Sequence, residues 1–264
     1  MEKLKITVVT VCYNASEVIE QTMRSVLNQT YTNMEYVIVD GASKDNTLDI
    51  INKVSAEYPQ VNIVIKSEPD QGIYDAMNKG IGLATGDWIN FMNAGDCFVD
   101  AETLEKIFLY KTFDDNVAVI CGDFIMKYKW GRVYKKGFDN GAFRFCHQAE
   151  FVRTDCHRVN LFDLSHPIAA DRKVLTSVCN EGYRMEYVAC PIAVYVADEG
   201  VSSENRFRLY KENFKAIGGH KGIGYFSRSL YLWICTKLYR ILPKEMLYWW
   251  WRRNASRRNE LMDD

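Results

Sequence analysis

Residues 6–12, 34–39 and 61–65 are short runs rich in β-branched side chains, and the stretches between them carry helical periodicity. This alternation constrains the fold most. Strand and helix patterns in turn indicate a doubly wound, mostly parallel α/β sheet. The first run ends at Tyr13-Asn14. Asn14 with Glu17 matches a capping box for a helix burying Val18, Ile19, Met23, Val26 and Leu27. The second run ends in Asp40-Gly41-Ala42-Ser43, where Ser43 is expected to cap a helix buried through Leu48, Ile51 and Val54. After a turn at residues 68–72, a helix is expected over residues 73–84, inward through Ile73, Met77, Ile81 and Ala84. Gly80 and Gly82 inside it cost about 1 kcal/mol each relative to Ala. They read either as room for a close approach to the backbone or as a weak helix packed hard on the sheet.

Residues 86–96 form an apolar run that stops in a small polar turn, Asn93-Ala94-Gly95-Asp96. In open α/β sheets ligands bind outside the carboxyl ends of strands. Asp96 is thus either an ordinary turn aspartate or an oxygen ligand for a divalent cation bridging phosphates. Further on, a helix is expected over 101–111 and a strand over 117–121. A hairpin follows over 124–135, turning at Trp130-Gly131. Cys146-His147-Gln148 lies in a segment at 143–153. A helix begins near Ala169 with Asp171 in its first turn, and a strand covers 187–196. By itself Asp171 is a charge favoured at a helix N-terminus, and a lone His147 reads as structural. A polar loop at 198–204 carries Gly200-Val201-Ser202, and a helix is expected over 204–217.

The 264 residues, 48% hydrophobic, suffice for one substantial core and an appendage. The net charge of −1 hides an asymmetry: from Asn205 onward 13 Lys/Arg face 5 Asp/Glu, while the rest carries 20 against 29. The tail adds Tyr231, Leu232, Trp233, Ile234 and Cys235 between Arg228 and Lys237, then Tyr248-Trp249-Trp250-Trp251 running into Arg252-Arg253. Tryptophans beside arginines suit a membrane interface; the alternative is that they cover the domain or a partner chain. The eight cysteines form no Cys-x-x-Cys pair, which argues against zinc and thioredoxin-type chemistry and for reduced thiols. No signal peptide opens the chain and no segment has the roughly 18 apolar residues that span a bilayer, so a cytoplasmic protein is expected. A nicotinamide dehydrogenase is excluded by the missing Gly-x-Gly-x-x-Gly after the first strand. A nucleotidyltransferase lacks its glycine-rich loop there. Nucleic acid is an unfavoured partner because the basic residues gather in the tail.

Four motifs, in order, carry a resemblance: Val8-Val9-Thr10-Val11-Cys12-Tyr13-Asn14, residues 37–47 around Asp40-Gly41-Ala42-Ser43, Asp70-Gln71-Gly72-Ile73-Tyr74-Asp75-Ala76-Met77-Asn78-Lys79-Gly80, and the strand ending at Asp96. The chain resembles the family-2 glycosyltransferases of the GT-A fold, in particular bacterial enzymes of capsule, exopolysaccharide and O-antigen synthesis. The resemblance covers the first hundred residues and thins afterwards to His147-Gln148, Ala169-Ala170-Asp171 and Gly200-Val201-Ser202. It implies a nucleotide-sugar donor, UDP-sugars favoured, bound by Thr10, Tyr13, Asn14, Asp40, Asp70, Gly72, Asn78, Lys79, Asn93, Ala94 and Gly95. It implies Mn2+ or Mg2+ on Asp96, although Asn93 and Gly95 stand where the family commonly has acidic residues. Asp171 would be the base of an inverting transfer, with Asp163 and Asp155 as runners-up. His147, Gln148 and Arg172 would meet the acceptor or the diphosphate. The acceptor would be a polyprenyl-diphosphate-linked saccharide at the inner face of the plasma membrane, with the tail on that surface. The divisions expected are a nucleotide-sugar half over residues 1–123, an acceptor and base half over 124–220, and a helical tail over 221–264. Homo-oligomerisation is left open, and a weak or inactive nucleotide-sugar-binding protein of the same fold is the alternative function.

Overall fold

Strands buried on both faces need no alternation of polar and apolar residues. Ile6–Cys12 (β1) and Met34–Asp40 (β2) are buried at every position. Asn62–Ser67 (β3) is a partly exposed edge, and Trp88–Phe91 (β4) is again fully buried. β1 lies between β2 and β4, parallel to both, with Val9 opposite Val37 on one side and Phe91 on the other; β3 extends the sheet beyond β2. Ile19–Leu27 (α1) and Thr47–Ala56 (α2) cover one face, where Met23, Val26, Ile51 and Val54 share a core with Ile6, Val8, Tyr36 and Ile38. Ile73–Leu83 (α3) covers the other face, setting Met77 and Ile81 on Val9, Val11, Val37 and Val39. The computed structural model describes residues 3–109, 111–197, 206–216, 233, 244–258 and 260–262.

Cys97–Phe98 (β5), Thr103–Phe108 (α4), Val117–Tyr128 (β6), Gly131–Lys135 (β7), Phe138–Asp139 (β8) and Ala142–Phe143 (β9) follow. Then come a 3-10 turn at His147–Ala149, Glu150–Arg153 (β10), Thr154–Val159 (α5), Ala170–Asn180 (α6) and Arg184–Val196 (β11). Arg206–Ala216 (α7), Lys244–Arg257 (α8) and Leu261–Met262 (β12) complete the described elements. β10 is inserted antiparallel between β4 and β6, so the sheet continues across the middle of the molecule. β6 is one strand through residue 123, so the expected division there falls inside an element. Asn90 of β4 donates its Nδ2 to the carbonyls of Gln148 and Glu150, both at 2.9 Å, and so fastens the turn before β10 to the strand that leads to Asp96.

Several local expectations are corrected. The capping box does not form: Asn14 adopts φ +47° and its Oδ1 accepts the Lys44 N–H at 2.9 Å, while α1 starts at Ile19 without a side-chain cap. Ser43 likewise caps nothing; its hydroxyl donates to Asp40 and accepts from the Asn14 N–H, and α2 begins at Thr47. In both cases the neighbouring loop claims the polar side chain before the helix can. The buried stripe of α3 runs through Tyr74, Met77 and Ile81, and Ile73 is 44% exposed. Gly80 meets the sheet: a Cβ there would lie 2.5 Å from Val9 Cγ1, whereas Gly82 faces open space.

The tail is joined to the domain at its end. β12 pairs antiparallel with β7, Leu261 opposite Val133. α8 sets Trp251, Asn254 and Ala255 beside Tyr128, Trp130 and Val133 of the hairpin. Of the residues singled out in the sequence, Gly200-Val201-Ser202 and Tyr231, Leu232, Ile234 and Cys235 lie outside the described residues.

Candidate functional site

The loops leaving β1 and β2 are stitched together. Asn14 N–H donates to Ser43 Oγ at 2.8 Å, Ala15 N–H to Thr47 Oγ1 at 2.8 Å, and Gly41 N–H to the Cys12 carbonyl at 2.9 Å. Asp40 is fully buried, and its carboxylate accepts from the Ser43 N–H and hydroxyl and, at 2.6 Å, from the Ser67 hydroxyl. It is the keystone of this shelf. The half-buried Asp70 stands against Gly41, where a Cβ would collide with its carboxylate and meet the Tyr13 ring at 3.3 Å. Asp70 Oδ1 accepts the Gly72 N–H at 2.8 Å, and Gly72, at φ +119° and ψ 176°, occupies a region essentially confined to glycine. Tyr13, 58% exposed, and Asp70 thus meet over Gly41.

Thr10 is not on that shelf. It is fully buried, its hydroxyl 2.6 Å from the Met92 carbonyl and 2.7 Å from the Tyr36 hydroxyl, so the contact with a nucleotide expected of it is corrected to a core role. Asn78 turns to the loop before α6, donating to the Phe162 carbonyl and accepting the Phe162 N–H, each at 2.9 Å. Lys79 donates to the Pro69 carbonyl at 2.7 Å and pairs with Glu68 at 3.2 Å. Asn78 thus ties α3 to the loop before α6, and Lys79 ties it to the turn that carries Asp70.

The second part of the site begins where β4 ends. The turn is closed by the Asp96 N–H on the Asn93 carbonyl at 2.9 Å; Ala94 N–H bonds Val11, and Gly95, at φ +100°, donates its N–H to Thr22 Oγ1 at 2.9 Å. Asp96 Oδ2 accepts from Gln148 Nε2 at 2.9 Å, and Asn93 Nδ2 lies 3.1 Å from His147 Nε2. On its other side His147 Nδ1 is 3.7 Å from Asp171 Oδ2. Burial pushes the Asp96 carboxyl up to about 6, against the pull of His147 and of the Gln148 amide. Burial pulls His147 down, but Asp171, Asp96 and Glu150 outweigh it and hold the ring above the ordinary histidine value. Glu150, 5% exposed, accepts the Cys146 N–H at 2.8 Å, and burial raises it to about 7.

Asp171 and Arg172 open α6 beside a cleft of about 330 Å³, lined also by Phe145, Gln148, Ile168 and Leu209. The Arg172 guanidinium lies 4.7 Å from the centre of the Phe145 ring, and its buried Nε has no partner. His147 and Gln148 line the same cleft, so the structure brings Asp96, Gln148, His147, Asp171 and Arg172 into one contiguous set. Asp163 is engaged with Lys173 and Ser165, and Asp155 with Arg153 in a different cleft.

Three residues that support this set were not singled out as site residues in the sequence. Tyr74 places its hydroxyl 3.0 Å from the Ile168 carbonyl and 3.3 Å from Asp171 Oδ1. Standing three residues before Met77 and seven before Ile81, it belongs to the same buried stripe. Glu212 of α7 accepts the N–H groups of Ile168 and Ala169 at 2.9 and 3.2 Å, capping α6 from outside its own segment. Glu150 opens β10 within the segment at 143–153. Nothing local marks these last two.

Among the described residues no three His, Cys, Asp or Glu side chains gather as a metal site. The turn nevertheless offers the Asp96 carboxylate and a buried Asn93 Oδ1 that has no hydrogen-bond partner. One carboxylate and one amide oxygen fit Mg2+ or Mn2+, which take much of their coordination from phosphates and water.

The family model described as glycosyl transferase family 2 matches residues 7–189. The chain belongs to this family. Among its relatives is a PGL/p-HBAD biosynthesis glycosyltransferase of Mycobacterium tuberculosis, 34% identical over 164 residues, which are 60% of this chain and 63% of that protein. Another is the Escherichia coli UDP-Glc:alpha-D-GlcNAc-diphosphoundecaprenol beta-1,3-glucosyltransferase WfaP, 33% identical over 107 residues, covering 40% of this chain and 41% of WfaP. The chain therefore spans less than two thirds of the mycobacterial relative it matches. Among solved structures, mannosyltransferase PcManGT from Pyrobaculum calidifontis, in complex with GDP-Man and Mn2+, aligns with a TM-score of 0.65 at 19% identity, covering 88% of this chain and 69% of that one. S. aureus TarS 1-349 in complex with UDP aligns with a TM-score of 0.62 at 18% identity, covering 86% and 70%. The α/β architecture of this family-2 chain is thus the GT-A type of these neighbours. The match takes in both the shelf of Tyr13 and Asp70 and the start of α6 at Asp171.

Proposed function

We propose that the chain is an inverting glycosyltransferase that moves a sugar from a nucleotide-diphosphate donor to a lipid-linked saccharide during cell-surface polysaccharide synthesis. One observation carries this reading: the Asp171 carboxylate stands at the cleft and is joined through His147 to the turn that ends in Asp96. The donor's base would stack on Tyr13 over Gly41 and Asp70, with its diphosphate reaching the Asn93–Asp96 turn. Asp96 and Asn93 Oδ1 would hold Mn2+ or Mg2+, which supplies positive charge against the diphosphate when bound. The acceptor hydroxyl bonds to the anomeric carbon as the carbon–oxygen bond to the diphosphate breaks. Its proton passes to Asp171, and the configuration inverts. Gln148 keeps Asp96 in place, and Arg172 offers an unpaired guanidinium to an anionic part of donor or acceptor. UDP-sugars are the favoured donors, in keeping with the UDP named for TarS and the UDP-Glc named for WfaP. WfaP's printed diphosphoundecaprenol acceptor supports a lipid-linked one here.

α8 carries the contact with the inner face of the plasma membrane in this reading. Met246 and Trp249 are 49% and 59% exposed, Arg252 and Arg253 are exposed, and the Arg253 guanidinium lies 5.2 Å from the Trp249 ring centre. No helix among the described residues is long and apolar enough to cross a membrane, so the contact would be peripheral and cytoplasmic. Flotation of the full chain with anionic vesicles, lost in Trp249→Ala, is the expected result. An unchanged float ends the membrane assignment.

The transfer reading is tested with a panel of nucleotide-sugars, Mn2+ and a short polyprenyl-diphosphate-linked N-acetylglucosamine. Nucleoside diphosphate should be released only when acceptor is present, and Asp171→Asn should stop it. The second reading, a nucleotide-sugar-binding protein without turnover, is favoured by the non-acidic Asn93 and Gly95 in the turn. Donor binding with no release under any acceptor would establish it.

A further inference from the structure

Asp171 sits in the first turn of α6, where nothing in its own helix directs its carboxylate except the Arg172 N–H at 2.7 Å. The other direct hydroxyl partner comes from α3. Tyr74 is 8% exposed, and its ring stacks on Phe162 at 5.1 Å between centres and 26° between planes, so the hydroxyl has little freedom. That hydroxyl shares one proton between the Ile168 carbonyl at 3.0 Å and Asp171 Oδ1 at 3.3 Å. Burial, and next the charge of Asp171, raise its pKa, so it stays a donor at neutral pH. The peptide it grips is held from the far side too, since Glu212 accepts the Ile168 N–H. Tyr74 also lies two residues beyond Gly72, whose N–H is donated to Asp70 on the nucleotide shelf.

We propose that Tyr74 is a positioning residue for the base: its hydroxyl orients the Asp171 carboxylate toward the acceptor and ties that orientation to the Asp70–Gly72 turn on the donor side. The inference rests on Asp171 as the base. A hydrogen bond to a charged group carries enough stabilisation that its loss should lower kcat by about 10- to 100-fold.

The test uses the full chain, Mn2+, and the nucleotide-sugar panel with the polyprenyl-diphosphate-linked acceptor. Tyr74→Phe keeps the ring stack and is expected to lower kcat as above and to leave the donor KM within about twofold. In the Asp171→Asn background the same substitution should cost nothing further, since the two residues act as one unit. Phe162→Leu, which loosens the stack and keeps the hydroxyl, serves as the packing comparison; its thermal midpoint should fall while its kcat falls less than that of Tyr74→Phe. Wild-type kcat in Tyr74→Phe overturns this inference alone, as does an equal loss in both backgrounds. Full turnover in Asp171→Asn overturns the assignment of the base and this inference with it.

Discussion

Where β1 and β2 end, the loop bonds join Asn14 to Ser43 and Lys44, residues 29 and 30 positions apart, across two adjacent parallel strands. At the start of α6, Asp171 meets Tyr74 from 97 positions away and is braced through Ile168 by Glu212, which lies 44 positions from Ile168. The first arrangement follows from strand ends lying side by side. The second exists only once α3, α6 and α7 have all docked. Binding of the donor should therefore depend on local loop chemistry, and turnover on remote packing.

The sharpest way to break this comparison is Asp171→Asn. Transfer should fall by a factor on the order of 10² or more while affinity for nucleotide, read by calorimetry, stays within twofold. Equal loss of both would mean the two sides are not separable. Gly41→Ala should do the converse. Its Cβ would press the Asp70 carboxylate off the shelf, weakening donor binding by about tenfold, read by the same titration, with kcat changed less.

Stability sharpens the contrast further, because the nucleotide half carries its own buried ion pair. Glu35 is 1% exposed and bonded to Lys5, Thr7 and Thr85. Burial opposes its charge, but the Lys5 ammonium and the Thr85 and Thr7 hydroxyls outweigh burial and hold the carboxyl at about 2 instead of 4.5. The stabilisation is complete above pH 4.5 and disappears as pH falls through the window from 4.5 to 2, an effect on the order of 3 kcal/mol. Thermal midpoints measured across this window should show the fall, and Glu35→Gln should flatten it. Gly80→Ala should cost about 1–3 kcal/mol by forcing α3 off Val9, seen in urea unfolding. Gly82→Ala, in the same helix but facing open space, should gain about 0.5–1 kcal/mol in the same measurement. Similar signs for the two glycines would contradict the packing of α3 on β1.

The elements legible in the residues were those whose signal is local. β1, β2 and β4 announced themselves as buried runs, and α3 as a helix whose expected Met77, Ile81 and Ala84 are buried, with only Ile73 misplaced and Tyr74 taking the inward position. The capping assignments failed because Asn14 and Ser43 have side chains able to bond either to a helix or to a neighbouring loop, and residue spacing does not distinguish the two. Thr10 was expected at the nucleotide because its motif borders the loop, but the pleat of β1 turns its hydroxyl to Met92 and Tyr36. Asp96, His147 and Asp171 were each visible, but as isolated motifs.

By itself the sequence determined the class of fold and the family, since strand periodicity, turn residues and four ordered motifs are properties of consecutive positions. Only the tertiary structure decided which polar groups share an environment: that Asp40 is closed in by Ser43 and Ser67, that His147 links Asn93 to Asp171, and that Tyr74 and Glu212 hold the start of α6. Hydrogen bonds are short and directional, so partners 44 to 97 residues apart are chosen by how helices and strands dock, which no local pattern encodes.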